Sequence, residues 1–165
     1  MPMYSIHPMN EVHASAVMSI FNHYIENDFS AYFEHPLPES FFSRLLEATD
    51  GYLAVVSCDE KGNVVGFACL RAYHGAPSFK RTAEVTYFIH PEHTRKGVGR
   101  LMLSALVDQA GAVGVDNIVA SISSLNPDSI AFHSKNGFRE CGRLSAVGRK
   151  FGRDFDVVYM QKKIR

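Results

Sequence analysis

His90-Pro-Glu-His-Thr-Arg-Lys-Gly-Val-Gly-Arg100 is the stretch on which the reading turns. Before it, Thr82 to His90 is an apolar run of strand length, closed by Pro91. After it, Leu101, Leu103, Leu106, Val107 and Ala110 recur with helical period between Gly97 and Ala112. A strand therefore runs through a turn with alternate glycines straight into a helix. Glycines let a backbone approach a ligand closely, and the first free N–H groups of a helix attract an anion. Phosphate is the natural occupant, and Arg95, Lys96 and Arg100 add charge around it. The nucleotide P-loop pattern GxxxxGK[ST] is absent, and the dinucleotide pattern GxGxxG does not fit Gly97-Val-Gly-Arg-Leu-Met102. On these residues alone, a phosphate site and a plain helix start with solvated basic side chains both remain open.

Working outward, the chain alternates strands and helices. Met3 to His7 reads as a short opening strand, Asn10 to Glu26 as a helix, and Glu39 to Ala48, after Pro36 and Pro38, as a second helix. Tyr52 to Ser57 and Val64 to Tyr73 form a hairpin around the turn Asp59-Glu-Lys-Gly-Asn63. A Gly/Pro loop spans Tyr73 to Lys80. Beyond the central unit come a strand at Asn117–Ile122, a helix at Ser129–Lys135, and two strands around Gly148 to Arg153. The order β-α-α-β-β-β-α-β-α-β-β predicts an α/β (α+β layered) fold in one domain over residues 1–165.

Composition narrows the function. The 165 residues are 46% hydrophobic and 21% charged, the balance of a globular domain with a core. Lys plus Arg and Asp plus Glu number 17 each, which argues against nucleic-acid binding. Cys58, Cys69 and Cys141 form no CxxC pair, and Cys58 and Cys69 lie in apolar runs, so a reduced, cytoplasmic setting is expected. Met1 to Met9 shows no basic segment followed by an apolar one, so no leader is expected, and apolar runs such as Val64 to Leu70 are too short to span a membrane.

Thr94-Arg-Lys-Gly-Val-Gly99 resembles the pyrophosphate loop Q/R-x-x-G-x-G/A of the GNAT N-acetyltransferase superfamily, with Thr94 in place of the usual Gln or Arg. Asn126-Pro-Asp-Ser-Ile-Ala-Phe-His-Ser-Lys-Asn-Gly-Phe138 resembles the second coenzyme A segment of that superfamily. Within it, the chain is most similar to the phosphinothricin and methionine sulfone N-acetyltransferase group, through Phe21–Glu26, Glu84–His93 and Val147–Asp156. The resemblance implies the acyl-CoA N-acyltransferase fold, a central mixed, mostly antiparallel sheet flanked by helices, with acetyl-CoA as donor, no metal, and a homodimer. It also implies a small-molecule amine as acceptor, an amino acid or analogue. The group's Asn-Phe-Arg after the first helix is replaced by Phe29-Ser-Ala-Tyr-Phe33, and Pro77 to Thr82 lacks the group's Arg and aromatic pattern.

The chemistry needs a base near the amine, directly or through water. Glu84 interrupts an otherwise apolar strand of Ala83, Val85, Tyr87, Phe88 and Ile89, surroundings that tend to raise a carboxylate pKa. Its position also matches the superfamily's strand glutamate. Backbone N–H groups near Phe88 to His90 are candidates for the oxyanion donor. His133, where many relatives carry Tyr, is the candidate partner of the departing thiolate. The resemblance further implies that coenzyme A pairs its pantetheine amides with the backbone at Phe88, Ile89 and His90. Its pyrophosphate falls on Arg95, Lys96, Gly97, Val98, Gly99 and Arg100, Asn126 holds the pantetheine arm, and Lys135 approaches the adenosine phosphate. Phe29, Tyr32, Phe33 and Tyr73 are the candidate acceptor wall, which as structure alone would be core.

Three further readings are weighed. His90 and His93 invite a metal, but with a Pro between them and no third ligand they read as a strand-end turn. Gly148-Arg-Lys-Phe-Gly-Arg-Asp154 reads as a charged hairpin, bordering the active site or the homodimer contact by resemblance. Against catalysis on a small amine stand acetylation of a protein or peptide, and a non-catalytic acyl-CoA-binding sensor, which needs neither Glu84 nor His133.

Overall fold

The computed structural model describes residues 3–164; Met1 and Pro2, with which the leader reading begins, and Arg165 lie outside the described residues. Seven strands form one sheet in the order β1-β2-β3-β4-β5-β7-β6. They are β1 (Ser5–Pro8), β2 (Ala54–Cys58), β3 (Val64–Ala72), β4 (Thr82–Ile89), β5 (Asn117–Ser123), β6 (Arg139–Lys150) and β7 (Arg153–Lys163). Four helices cover the sheet: α1 (Ala14–Asn27), α2 (Phe41–Glu47), α3 (Val98–Ala110) and α4 (Pro127–Lys135). Every strand pair is antiparallel except β4–β5, so the sheet is mixed and mostly antiparallel, as expected.

Both faces of the sheet centre are covered, which is why β2 and β3 read as near-continuous apolar runs. On β2, Val55 joins the cluster built on Val98, Met102 and Leu106 of α3. Ala54, Val56 and Cys58 join the cluster of Val17, Phe21 and Ile25 of α1 with Phe42 of α2. That alternation, with period two, assigns each strand residue to one helical layer. Cys58 and Cys69 are buried and free, as small core residues. Among the described residues no helix is long and apolar enough to cross a membrane.

Element boundaries follow local chemistry. Asn10 accepts from the Val12 N–H and donates its own N–H to His13 Nδ1, so the first helix opens as a 3-10 turn over Glu11–His13. The last helix starts two residues before the periodicity predicts, because Asn126 caps it and Pro127 occupies its first turn. The chain between α1 and α2 is tied down by Asn22, whose amide exchanges two hydrogen bonds of 2.8 Å with the backbone of Leu37.

Candidate active site

β4 and β5 pair in parallel over three residue pairs only, Thr82–Asn117, Ala83–Ile118 and Glu84–Val119. Both strands run on, β4 to Ile89 and β5 to Ser123, with their other edges fully paired to β3 and β7. A wedge therefore opens immediately beyond Glu84. Its walls are strand edges, and register decides which groups they offer. The His90 N–H donates to Val65 O at 2.7 Å, so His90 and, by alternation, Phe88 direct their N–H and C=O groups toward β3. The groups facing the wedge are those of Tyr87 and Ile89. Of the backbone sites expected at Phe88, Ile89 and His90, only Ile89 lies on the open edge; the parity of the ladder moves the other to Tyr87.

Two tyrosine hydroxyls reach the wedge walls. Tyr24 of α1 donates to Ile89 O, and burial raises its pKa to about 12, which keeps it a donor. Across the wedge, the Tyr32 hydroxyl lies 3.3 Å from both the carbonyl and the hydroxyl oxygen of Ser121 on β5. Tyr24 lies in the Phe21–Glu26 stretch that carries the family resemblance, though nothing in that stretch singles out its hydroxyl, and Ser121 lies in no motif.

The wedge points toward the glycine turn. Gly97 caps α3 with φ 88°, a left-handed conformation suited to glycine, and Arg95 also has positive φ. No side chain caps this helix, and its first internal bond runs from Leu101 N–H to Gly97 O, so the amides of Val98, Gly99 and Arg100 are free to meet an anion. Gly99 is closely packed: a Cβ there would lie 3.2 Å from Ile89 Cδ1 and 3.3 Å from the Phe132 ring, so both side chains would have to shift slightly. Arg95 pairs with Asp128 of α4 at 3.0 Å, both largely exposed, while Lys96 and Arg100 are exposed and form no ion pair among the described residues. A strand edge leading to a helix start ringed with cations fits a chain of amides ending in a pyrophosphate, which is the form of coenzyme A.

Glu84, the last residue of the parallel ladder, faces Arg71 of β3, with 2.9 Å between Nη2 and Oε1. The apolar surroundings expected for Glu84 are thus replaced by an ion pair, because the strand's apolar neighbours alternate to the other face or pack further along. β4 is the fourth strand of seven, so Glu84 is not on a surface edge. No sequence pattern marks Arg71, because a cross-strand partner is fixed by the β3–β4 register alone.

His133 departs from its expected role. It is 2% exposed, its Nδ1 donates to Ser129 O at 2.6 Å, and its Nε2 accepts from the Tyr87 hydroxyl. Burial lowers its pKa to about 4, so the ring is neutral. With both nitrogens engaged inside the core it offers no proton to a leaving thiolate. Tyr87, stacked on it, carries a hydroxyl whose pKa burial raises well above the ordinary value.

The candidate acceptor residues separate. Phe29 and Tyr32 lean on the β6–β7 hairpin, Phe29 against Phe151 and Phe155, and Tyr32 stacked on Phe155 at 5.7 Å. Phe33 packs instead on Phe21 and Phe41, and Tyr73 contacts Phe79 in the loop before β4. Of these four, Tyr32 is the one whose hydroxyl meets the wedge wall, at Ser121. Asn126 spends its amide within the chain, accepting from Ser129 N–H and donating to Ser30 Oγ, both at 3.2 Å. Lys135 is exposed at the end of α4. The strand-end turn does gain a third group: His90, Glu92 and His93 bring ligand atoms within 4.8 Å of one another. His90 Nδ1 accepts from the Glu92 N–H and His93 Nδ1 bonds the Tyr4 hydroxyl, bonds that serve the turn itself.

Comparison with known proteins agrees with this geometry. A family model described as the acetyltransferase (GNAT) family matches residues 18–138. An L-amino acid N-acyltransferase of Escherichia coli is 38% identical over 69% of this chain, and the match spans 66% of that protein's length. An L-methionine sulfoximine/L-methionine sulfone acetyltransferase of Pseudomonas paraeruginosa is 32% identical over 88% of this chain and 86% of its own length. Among solved structures, a phosphinothricin acetyltransferase from Sinorhizobium meliloti in complex with AcCoA superposes with a TM-score of 0.92 at 30% identity. That superposition covers 97% of this chain and 88% of the other.

Proposed function

The chain belongs to the acetyltransferase (GNAT) family, and on that premise we propose that it transfers acetyl from acetyl-CoA to the primary amine of a small amino acid or analogue, within a ternary complex. The observation that carries the reading is the wedge itself: β4 and β5 part at Glu84, leaving a carboxylate at the vertex, an open strand edge along one wall, and free helix amides at its end.

The pantetheine arm adds to the open β4 edge at Ile89 as an extra strand would. The amides of Val98, Gly99 and Arg100, with Lys96 and Arg100 nearby, take the pyrophosphate. Glu84, directly or through water, accepts the proton of the ammonium, and the freed lone pair attacks the thioester carbonyl carbon. The N–H of Tyr87, the open-edge amide nearer Glu84, stabilises the resulting oxyanion, and Ile89 remains for the pantetheine arm. Collapse breaks the C–S bond; of the two protons the ammonium gives up, one goes to the departing sulfur and the other passes from Glu84 to solvent. Approximation of donor and acceptor does the rest, and no covalent enzyme intermediate is needed.

Support for an amino-acid-like acceptor comes from the relatives named above and from Arg71 and Tyr32, which offer a cation beside Glu84 and a hydroxyl at Ser121 on the wedge wall. We read the protein as cytoplasmic, in keeping with its free core cysteines, and as a homodimer, in keeping with the exposed apolar Leu144 and Val147 on the outermost strand β6. Sedimentation velocity tests the dimer.

The deciding experiment follows free-thiol release from acetyl-CoA with methionine sulfone, phosphinothricin, aromatic amino acids, polyamines and a short peptide. Turnover on free amino acids with none on the peptide is the expected result. Turnover on the peptide alone moves the assignment to protein acetylation, and acetyl-CoA binding without turnover on any amine moves it to a sensor.

A further inference from the structure

Lys150 is a charged residue in a basic hairpin, yet it is fully buried. Its ammonium donates to Asp28 O at 2.6 Å and to Ala31 O at 2.7 Å, two carbonyls of the loop that follows α1. An ordinary surface hairpin has no reason to bury a lysine, because removing its charge from water is costly unless every donor is used. Here the cost is offset by bonds that tie together segments more than 100 residues apart in sequence. Burial lowers its pKa, while the nearby Asp28 and Glu34 carboxylates act in the opposite sense and favour the charged form.

The same hairpin holds the loop at two further points. The Phe151 N–H donates to Glu34 Oε1 at 3.2 Å, and Phe155 stacks its ring on Tyr32 with 13° between planes. Between the two Lys150 bonds and the Glu34 contact lies Tyr32, whose hydroxyl meets the Ser121 oxygens on the wall of the wedge. Without Lys150, the carbonyls at 28 and 31 lose their partner and the loop carrying Tyr32 loses its inner anchor.

We propose that Lys150 is a positioning residue for the acceptor: by bonding both carbonyls it fixes the loop over residues 28–33, so that Tyr32 stands over the wedge as one wall of the amine site. The proposal rests on the acetyltransfer reading and extends it to a residue that touches neither substrate. Its action falls chiefly on the acceptor side: its two bonds go to Asp28 O and Ala31 O, whereas the strand edge and helix amides proposed for acetyl-CoA belong to β4 and α3, and the loop meets α4 only through the Ser30–Asn126 bond among the described hydrogen bonds.

The test compares wild type with Lys150→Met, which keeps the length of the side chain and removes its donors, below the melting temperature of both. The KM for the amine is expected to rise at least tenfold while the KM for acetyl-CoA stays within twofold. Amide hydrogens of residues 29–33 are expected to exchange at least tenfold faster. Should Lys150→Met not fold, Lys150→Gln, which retains an N–H donor, is read in the same way with smaller changes. Unchanged exchange overturns the anchoring, and faster exchange with an unchanged amine KM and kcat overturns the positioning role. Wild-type protein that acetylates no amine sinks the acetyltransfer reading and this role together, whereas wild-type turnover with an indifferent Lys150 variant sinks the role alone.

Discussion

Arg71 and Glu84 sit directly opposite each other across the β3–β4 ladder, with the guanidinium Nη2 2.9 Å from the carboxylate Oε1. A half-exposed ion pair of this kind contributes little to stability, on the order of 1 kcal/mol or less. Its location at the vertex of the wedge therefore points to chemistry. Glu84→Gln keeps the shape and removes the base. It is expected to lower kcat by about 10²- to 10⁴-fold, the range of a single general base. The KM for acetyl-CoA and the melting temperature should hardly move. Steady-state kinetics with the best amine of the panel checks this, and an unchanged kcat and pH profile would mean that the base lies elsewhere.

His133 supplies a pH signature. Its folded pKa of about 4 lies below the unperturbed value near 6.5. Below pH 6.5 the unfolded chain therefore binds a proton that the native protein refuses. The stability due to a neutral, buried ring is complete above pH 6.5 and is lost as pH falls toward 4. The loss is on the order of 3 kcal/mol over that window. His133→Gln, which does not titrate there, is expected to flatten this part of the curve, as read by urea unfolding between pH 4 and 7. Parallel curves for the two proteins would contradict the buried neutral ring.

The turn at Gly97 separates donor from acceptor. With φ at 88°, an alanine there is strained by roughly 1–2 kcal/mol, and no neighbour obstructs its Cβ. Strain without a clash should re-aim the free amides of α3 while leaving the core intact. Gly97→Ala is expected to raise the KM for acetyl-CoA several-fold with little change in the KM for the amine. Isothermal titration with coenzyme A provides a second reading. Weakening on the amine side alone would place the pyrophosphate elsewhere.

Periodicity made the order of elements legible, because apolar residues spaced by 3.6 or by two leave their mark on the sequence itself. The same holds for Glu84, a charge inside an apolar strand, and for the Gly97 turn. What stayed hidden depends on register or burial. Whether Phe88 or Tyr87 offers its amide to the wedge changes with a one-residue shift in pairing, and no local pattern carries that information. Lys150 looks like any solvated lysine of a basic run until the loop at Asp28 and Ala31 folds onto it. Nothing in the sequence around His133 shows that Tyr87 and Ser129 take both of its ring nitrogens.

Gly148 gives the sharpest test of the hairpin. A Cβ there would fall 2.1 Å from Phe155 Cζ, with two more ring atoms within 2.7 Å, so the end of the ring fills the space a Cβ would need. That ring also carries Tyr32. Gly148→Ala must displace Phe155, and overpacking of this kind costs about 1–3 kcal/mol. For a chain of this length that corresponds to a fall in Tm of roughly 2–12 °C. Because the displaced ring takes Tyr32 with it, the KM for the amine should rise while that for acetyl-CoA holds. Phe155→Leu removes the obstacle and the stack together, so adding Gly148→Ala to it should change Tm far less than Gly148→Ala does in the wild type. Additive Tm shifts would show that the alanine acts through something other than the ring, and an unchanged amine KM in all three variants would detach this hairpin from acceptor binding.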